Sequence, residues 1–331
     1  MDWLKIIENT IQAGLGRDAV VFAIAAMGLN IHFGFTGLLN FGQVGFMAIG
    51  AYGVGISITY YGWHPVTAFI VGVLACVVLA LLLGLPALRL RADYLAIVTI
   101  AASEIIRTVV RSVTLRDFSG GSNGINGFSR SFYYFNPFDP QVKYGLGPFR
   151  FSGNYLWILL IGWSMVALAA LVTWLLIRAP WGRVIRSIRE DEDAARALGK
   201  NAYGYKVQSL IIGGVLGGLG GMVLSIGSAT VQPDTYSPPV TFFLYTILIL
   251  GGLGRVWTPI VGSIIFWMLL SLTDNFLREA VDNRFLGINH IMNGVQVGQV
   301  RFMLVGLGLA LLMIFRPQGL FGNKAEMALE V

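Results

Sequence analysis

Two unbroken apolar runs limit what this chain can fold into more than any other feature. Val66 to Leu88 follows Pro65 without a charged side chain, and Tyr155 to Ile177 follows Asn154 in the same way. Each run is 23 residues, about 34 Å of α-helix, enough to cross a hydrocarbon layer of about 30 Å. Lipid gives a bare backbone no hydrogen-bond partner, so a crossing segment is either a helix or part of a closed barrel. The runs are continuous rather than alternating, which selects helices. With 56% of residues hydrophobic and 12% charged, a soluble protein with unusually buried helices is a poor fit. The fold class read here is an all-α polytopic membrane protein.

Reading for spans gives nine segments: 19–34, 41–60, 66–88, 93–113, 155–177, 207–231, 241–254, 258–273 and 301–315. The shorter ones (241–254, 258–273, 301–315) fit half-helices or tilted spans, so eight to ten crossings are expected. Residues 1–331 read as a single transmembrane domain. An external loop covers about 114–154, and a charged segment about 178–206. That segment is the richest short loop in Lys and Arg and is placed in the cytoplasm by the positive-inside rule. Working outward, Arg89, Arg91, Arg255, Arg316 and the C-terminus fall inside, while 114–154, 232–240 and 274–300 fall outside. Arg107, Arg111, Arg116, Arg130, Lys143 and Arg150 run against this trend, but they belong to a long segment, which obeys the rule less well. The side of the N-terminus stays open: an odd span count puts it outside, an even one inside. Met1 to Asp18 carries Asp2, Lys5, Glu8, Arg17 and Asp18, unlike a cleaved signal peptide, so the first span is expected to be an uncleaved anchor.

Several function classes are disfavoured. The net charge of +6 comes from basic residues at span ends, with no aromatic-interleaved patch for nucleic acid. Cys76 is the only cysteine, so no intrachain disulfide or cysteine-based metal site is possible. No GxxxxGK[ST] phosphate loop occurs, and Gly14-Leu-Gly16-Arg-Asp-Ala19 follows no strand, so its dinucleotide-like spacing is discounted. His32, His64 and His290 are scattered. There is no HExxH, no GxSxG and no close carboxylate cluster. The chain is read as a non-enzyme that holds no cofactor or metal.

Three features remain. Of 42 glycines, Gly213, Gly217 and Gly221, and likewise Gly214 and Gly218, recur every four residues and make a smooth face for close helix packing. Asn30, His32, Asn40 and Gln43 form a polar stripe broken by Gly34 and Gly37. Such clusters either line a cavity with irregular backbone or hydrogen-bond between helices. Glu104 lies about 16 Å into a span that starts near Asp93, with Arg107 three residues on. Asn30, Asn40, Gln43 and Glu104 are the candidate pathway residues, with structural hydrogen bonds and a structural ion pair as the alternatives. The stretch Phe118 to Gly127 has turn-forming composition, suited to capping an external entrance, contacting a partner or simply connecting spans.

The charged island Arg178–Lys206 holds seven Lys/Arg and four Asp/Glu. Ser187 and Glu190 have capping-box spacing, and Gly199 sits where a left-handed C-cap belongs. The acids Glu190 to Asp193 precede Arg196 and Lys200, as the helix dipole favours. A helix of some eleven residues, roughly 16 Å long, is expected. It reads as a docking element or as an ordinary loop.

With these blocks in place the chain resembles the LivM-type membrane permeases of branched-chain amino acid ABC importers over about residues 20 to 322. The resemblance rests on Gly34-Phe-Thr-Gly-Leu-Leu-Asn-Phe-Gly-Gln43, Leu90-Arg-Ala-Asp-Tyr-Leu-Ala-Ile-Val98 with Glu104-Ile-Ile-Arg107, and Gly120-Gly-Ser-Asn-Gly-Ile125. It continues in Arg189-Glu-Asp-Glu-Asp-Ala-Ala195, Leu250-Gly-Gly-Leu-Gly254 and Arg316-Pro-Gln-Gly-Leu-Phe-Gly322. It implies a bacterial inner-membrane protein that forms half of a translocation path, with two pseudo-symmetric halves. The internal echo is faint: Phe41-Gly-Gln-Val-Gly45 against Leu253-Gly-Arg-Val-Trp257. The implied partners are a second homologous permease, two ATPases that hold ATP-Mg, and an external substrate-binding protein. The family's coupling helix carries EAA and, three residues later, Gly. Asp193-Ala194-Ala195 and Gly199 match with Asp for Glu, and the following LP is missing. Arg189, Glu190, Asp193, Ala194, Ala195 and Gly199 are thus the expected ATPase-coupling residues. Related permeases serve urea and short amides, and a self-sufficient secondary transporter or channel is the rival class.

Overall fold

The protein is described by a computed structural model covering residues 3–88, 92–145, 150–282, 294–316 and 318–322. Arg89, Arg91, His290, Pro317 and residues 323–331, all used above, lie outside the described residues. The described chain is almost wholly helical. In order it forms α1 (Trp3–Leu15), α2 (Arg17–Leu29), α3 (Gln43–Thr59), α4 (Pro65–Ala87), α5 (Ala92–Arg111), short α6 (Arg116–Ser119) and α7 (Arg130–Tyr133), and α8 (Gly153–Arg178). Then come α9 (Pro180–Glu190), α10 (Glu192–Ala197), α11 (Ala202–Ser228), α12 (Pro239–Gly251), α13 (Thr258–Asp282) and α14 (Gly294–Phe315). Among the described residues six segments are long and apolar enough to cross a membrane, Trp3–Phe35 with α1 and α2 counting as one of 33 residues, and α3 and α12 are shorter apolar helices. The expected polytopic helical membrane fold holds.

The segment before residue 19 is a helix that the search for continuous apolar runs passed over. α1 is amphipathic: Ile6, Thr10 and Gly14 are buried while Leu4 and Ile7 are exposed. It lies antiparallel to α13. Trp3 meets Phe276, Asn9 Nδ2 donates to Asn275 Oδ1 at 3.1 Å, and Gly14 faces Met268 and Ile264. The same pairing continues through α2, where Ser263 Oγ donates to the Ala19 carbonyl at 2.8 Å and Asn30 reaches Arg255.

Burial follows membrane rules rather than soluble ones. On α4 the buried residues are Ala68, Gly72, Cys76, Ala80, Gly84 and Ala87, a small-residue stripe at spacing four with a last step of three. Ile70, Leu74, Val78 and Leu82 are exposed. Large apolar groups face lipid and small ones let backbones approach. α2 is the opposite case, buried continuously from Ala19 to Leu29, so it is the centre of the bundle. α11 packs against α2, α3 and α4, and its glycines are the reason. Gly213 faces Gly28 and His32, Gly217 faces Gln43, and Gly221 faces the Met47 backbone, while Gly214 and Gly218 meet Phe46 and Cys76.

The segment between α5 and α8 is fastened to the end of α11. Strand β1 (Ile125–Asn126) pairs antiparallel with β4 (Thr230–Val231), joining Ile125 to Val231 and Asn126 to Thr230. A second two-stranded ribbon joins β2 (Lys143–Tyr144) to β3 (Phe151–Ser152) just before α8.

Candidate functional site

The charged island folds as two helices at an angle, not one rod. Pro180 opens α9 after Ala179 breaks the end of α8, a position where its missing N–H costs nothing. α9 buries Gly182, Ile185 and Ile188 on one face, and Ser187 lies inside it, its hydroxyl donating to the Val184 carbonyl at 2.8 Å. The expected capping box at Ser187 and Glu190 is therefore corrected: the chain breaks at extended Asp191 (φ −152°, ψ 106°), whose carboxylate accepts the Ala194 N–H. Packing of Ile185 and Ile188 carries α9 through Ser187, and Asp191 is the better-placed cap. The expected rod of some eleven residues shortens to the six-residue α10, about 9 Å.

The end of α10 is as expected. Gly199 adopts φ +77°, its N–H reaches the Arg196 carbonyl at 2.9 Å, and the Lys200 N–H reaches Ala195 at 3.1 Å. Those two bonds are a Schellman motif. Ala195 is buried with Ile188 and Ala202. Glu192 binds Arg196 and Lys206, tying α10 to the base of α11. Among the residues left outside are Glu190, Ala194 and Gly199, Asp193 at 93% side-chain exposure and Leu198 at 80%. Leu198 was not among the expected residues; an apolar side chain inside a charged island is the signal that pointed to it.

Arg189 turns the other way. Its guanidinium donates to the Gly34 carbonyl, and its stem packs at Gly37, which holds φ +75°. Arg186 lies over the Phe35 ring at 5.7 Å. Residues Asn30–Phe35 form a π-helical turn at the end of α2, a geometry that recurs at functional sites. α9 therefore sits on the point where α2 loses its regular form.

The predicted polar stripe lies beside that turn, and all its members are at most 1% exposed. Asn30 Nδ2 donates to the Arg255 carbonyl at 2.8 Å, and the Gly254 N–H donates back to Asn30 Oδ1 at 3.3 Å. Asn40 Nδ2 lies 3.0 Å from His32 Nδ1 and 3.1 Å from Gln43 Oε1, and the Gly42 N–H donates to Asn40 Oδ1 at 2.9 Å. Gln43 Nε2 donates to the Gly213 carbonyl at 2.9 Å and to Ala25 at 3.3 Å. His32 accepts from Asn40, which leaves its Nε2–H to donate to the Leu210 carbonyl at 3.2 Å. Tyr245 on α12 donates to the Asn40 carbonyl at 3.1 Å. Asn30 thus ties the π-turn to the break at 252–257, while His32, Asn40 and Gln43 tie the break at 36–42 to α11.

Glu104 lies apart from this cluster. It is twelve residues into α5, about 18 Å, and its carboxylate accepts from Arg107 Nε at 2.9 Å. Arg107 and Arg111 both reach Asp234, at 2.9 and 3.2 Å. Asp234 belongs to the turn Pro233–Tyr236 between α11 and α12. The four charges form a neutral network at the C-terminal half of α5. α5 exposes Ile97, Ile105 and Val109 alongside these charges.

Comparison with known proteins gives one consistent result. The family model described as branched-chain amino acid transport system / permease component matches residues 13–292. The high-affinity branched-chain amino acid transport system permease protein LivM of Escherichia coli is 31% identical over 91% of this chain and 68% of its own length. The probable branched-chain amino acid transport permease protein LivM of Methanocaldococcus jannaschii is 25% identical over 92% of this chain and 91% of its own. The nucleoside ABC transporter permease protein NupC of Lactococcus lactis is 26% identical over 83% and 84%. No solved structure matches.

Proposed function

We propose a working mechanism for a chain that belongs to the branched-chain amino acid transport permease family. It is the permease component of such an ABC transport system and not its ATPase. In the proposal it forms half of an alternating-access path in a bacterial inner membrane, with α9, α10 and the C-terminus in the cytoplasm. A second homologous permease supplies the other half, two ATPases hold ATP-Mg, and an external protein delivers branched-chain or related amino acids. The Lactococcus relative is named for nucleosides, which favours a second reading with another small polar cargo, chosen by the external protein rather than by this scaffold. Eight to ten crossings in two pseudo-symmetric halves fit the pair of breaks: α2 is interrupted before α3 as α12 is before α13.

One observation carries the proposal. α10 presents Asp193, Ala194, Leu198 and Gly199 outward, while α9, one residue before it, is held by Arg189 on the π-turn that leads into the sealed polar cluster. A force on α10 reaches α9 through the short Asp191 link, and α9 passes it to Gly34. Asn30, Asn40 and Gln43 then act as the clasp between the two breaks, and Glu104 and its partners flank the external mouth.

The test is copurification in mild detergent with Ala194→Cys for cross-linking, the native Cys76 being buried. An ATPase pair, a second different permease and a cross-link from position 194 to the ATPase are expected. A chain that moves substrate alone or as a homo-oligomer would overturn the reading.

A further inference from the structure

A cavity of about 380 Å³ lies where α1 meets α2, bordered by α8, α12, α13 and α14. Two cations and two anions line it, Arg17, Asp18, Asp274 and Arg301, together with the rings of Trp267 and Phe302. Arg17 binds Asp18 at 3.2 Å, and Asp274 is flanked by Arg278 at 2.9 Å and Arg301 at 3.2 Å. Arg17 and Arg301 keep 28% and 29% of their side-chain surface exposed, and Asp18 and Asp274 keep 41% and 19%. The wall therefore offers two cationic donors and two carboxylate acceptors to a ligand that carries both charges.

The depth of the cavity narrows what can supply them. Arg17 packs on Gly227, next to last in α11, and its N–H donates to Tyr155, the third residue of α8. Both ends adjoin the external segment, so the cavity is level with the headgroups of the outer leaflet. From its edge a stripe on α14 runs Met303, Leu307, Leu311, Ile314, all exposed. The eleven-residue interval is about 16 Å, half of a 30 Å hydrocarbon layer.

We propose that this cavity binds the headgroup of an ethanolamine phospholipid of the outer leaflet. The phosphate oxygens accept from Arg301 and Arg17, the primary ammonium donates to Asp274 and Asp18, and one acyl chain lies along the α14 stripe. The inference rests on the chain crossing a membrane in the orientation proposed above, not on the coupling mechanism. A free amino-acid zwitterion shares the headgroup chemistry but leaves the α14 stripe unused.

The test is native mass spectrometry of the intact transporter, stripped of lipid and titrated with ethanolamine, choline and glycerol phospholipids of equal chain length. One tightly held ethanolamine lipid per copy of this chain is expected, with the choline lipid, which has no ammonium N–H, at least about tenfold weaker. Arg301→Gln should weaken all three lipids. Asp18→Asn, at a half-exposed side chain, should weaken the ethanolamine lipid and leave the glycerol lipid unchanged, which guards against a folding defect. Equal binding of the three lipids, no effect of either variant, or displacement of the lipid by free leucine would each overturn the proposal. Copurification of the ATPases is indifferent to all of these, so the two readings fail separately.

Discussion

Replacing Arg189 by Met should separate ATP hydrolysis from transport. The side chain stays nearly as long, so the stem contact at Gly37 survives, but the donor to the Gly34 carbonyl is lost. A hydrogen bond from a charged donor contributes about 1.5–3 kcal/mol. At about 1.4 kcal/mol per tenfold, the link between α9 and the π-turn weakens by roughly ten- to a hundredfold. The docking face on α10 is untouched, because Arg189 points inward while Asp193 and Leu198 point out. In proteoliposomes holding the intact transporter, substrate uptake per ATP hydrolysed should therefore fall at least about tenfold, with hydrolysis within about twofold of the parent. Arg189→Lys keeps one charged donor on a flexible stem and should recover part of the loss. An unchanged uptake-to-hydrolysis ratio in the Met variant would refute the transmission route. A loss of ATPase copurification would also refute it, since the residue would then belong to the docking face.

Leu198→Ser removes an exposed apolar contact without touching the fold, so ATPase retention through detergent wash should drop while the unfolding temperature of the isolated chain is unchanged. Gln43→Leu removes the extra hydrogen bonds to the Gly213 and Ala25 carbonyls and the one from Asn40, at about 0.5–1.5 kcal/mol each; scanning fluorimetry should show a lower unfolding midpoint. Gly221→Ala drives a methyl into the Met47 backbone and should cost about 1–3 kcal/mol by overpacking. Gly306→Ala, with open space around it, should cost nothing by the same assay. Glu104→Gln breaks a half-exposed pair worth less than about 1 kcal/mol, so any large change in uptake at unchanged stability would assign Glu104 to the pathway rather than to structure.

How much could be read from residues alone depended on the kind of signal. α4 and α8 were legible within a residue or two because lipid imposes one requirement along their whole length. α1 was not, because its apolar side is a stripe against α13, and Lys5, Glu8 and Asn9 break any continuous run. The C-cap at Gly199 was legible because few residues tolerate its backbone angle. The N-cap was not: Ser187 and Asp191 are four residues apart and equally good cappers, and burial of Ile185 and Ile188 decided between them. Asn30, Asn40 and Gln43 stood out as polar residues in an apolar stretch. Their partners were invisible, because the Arg255, Gly213 and Ala25 groups they bind are backbone carbonyls that any residue type could provide.

The placement of glycine also says where this protein can move. Beside the buried side chains of His32, Gln43 and Phe46, α2, α3 and α11 include close backbone approaches: Gly28 on Gly213, Gly50 on Gly218 and Gly221 on Met47. Such contacts have no rotamers to adjust, and a packed interior transmits displacement rather than absorbing it. The three helices must therefore move as one body. The chain has spare backbone freedom next to that body, in the π-turn Asn30–Phe35, at Gly37 (φ +75°), and at Gly252 and Gly254 (φ +102° and +76°). α9 is anchored at the first of these and Asn30 ties it to the last. In the proposed mechanism a push delivered at α10 is taken up at these breaks, and opening exchanges the partners of the polar cluster rather than bending the helices.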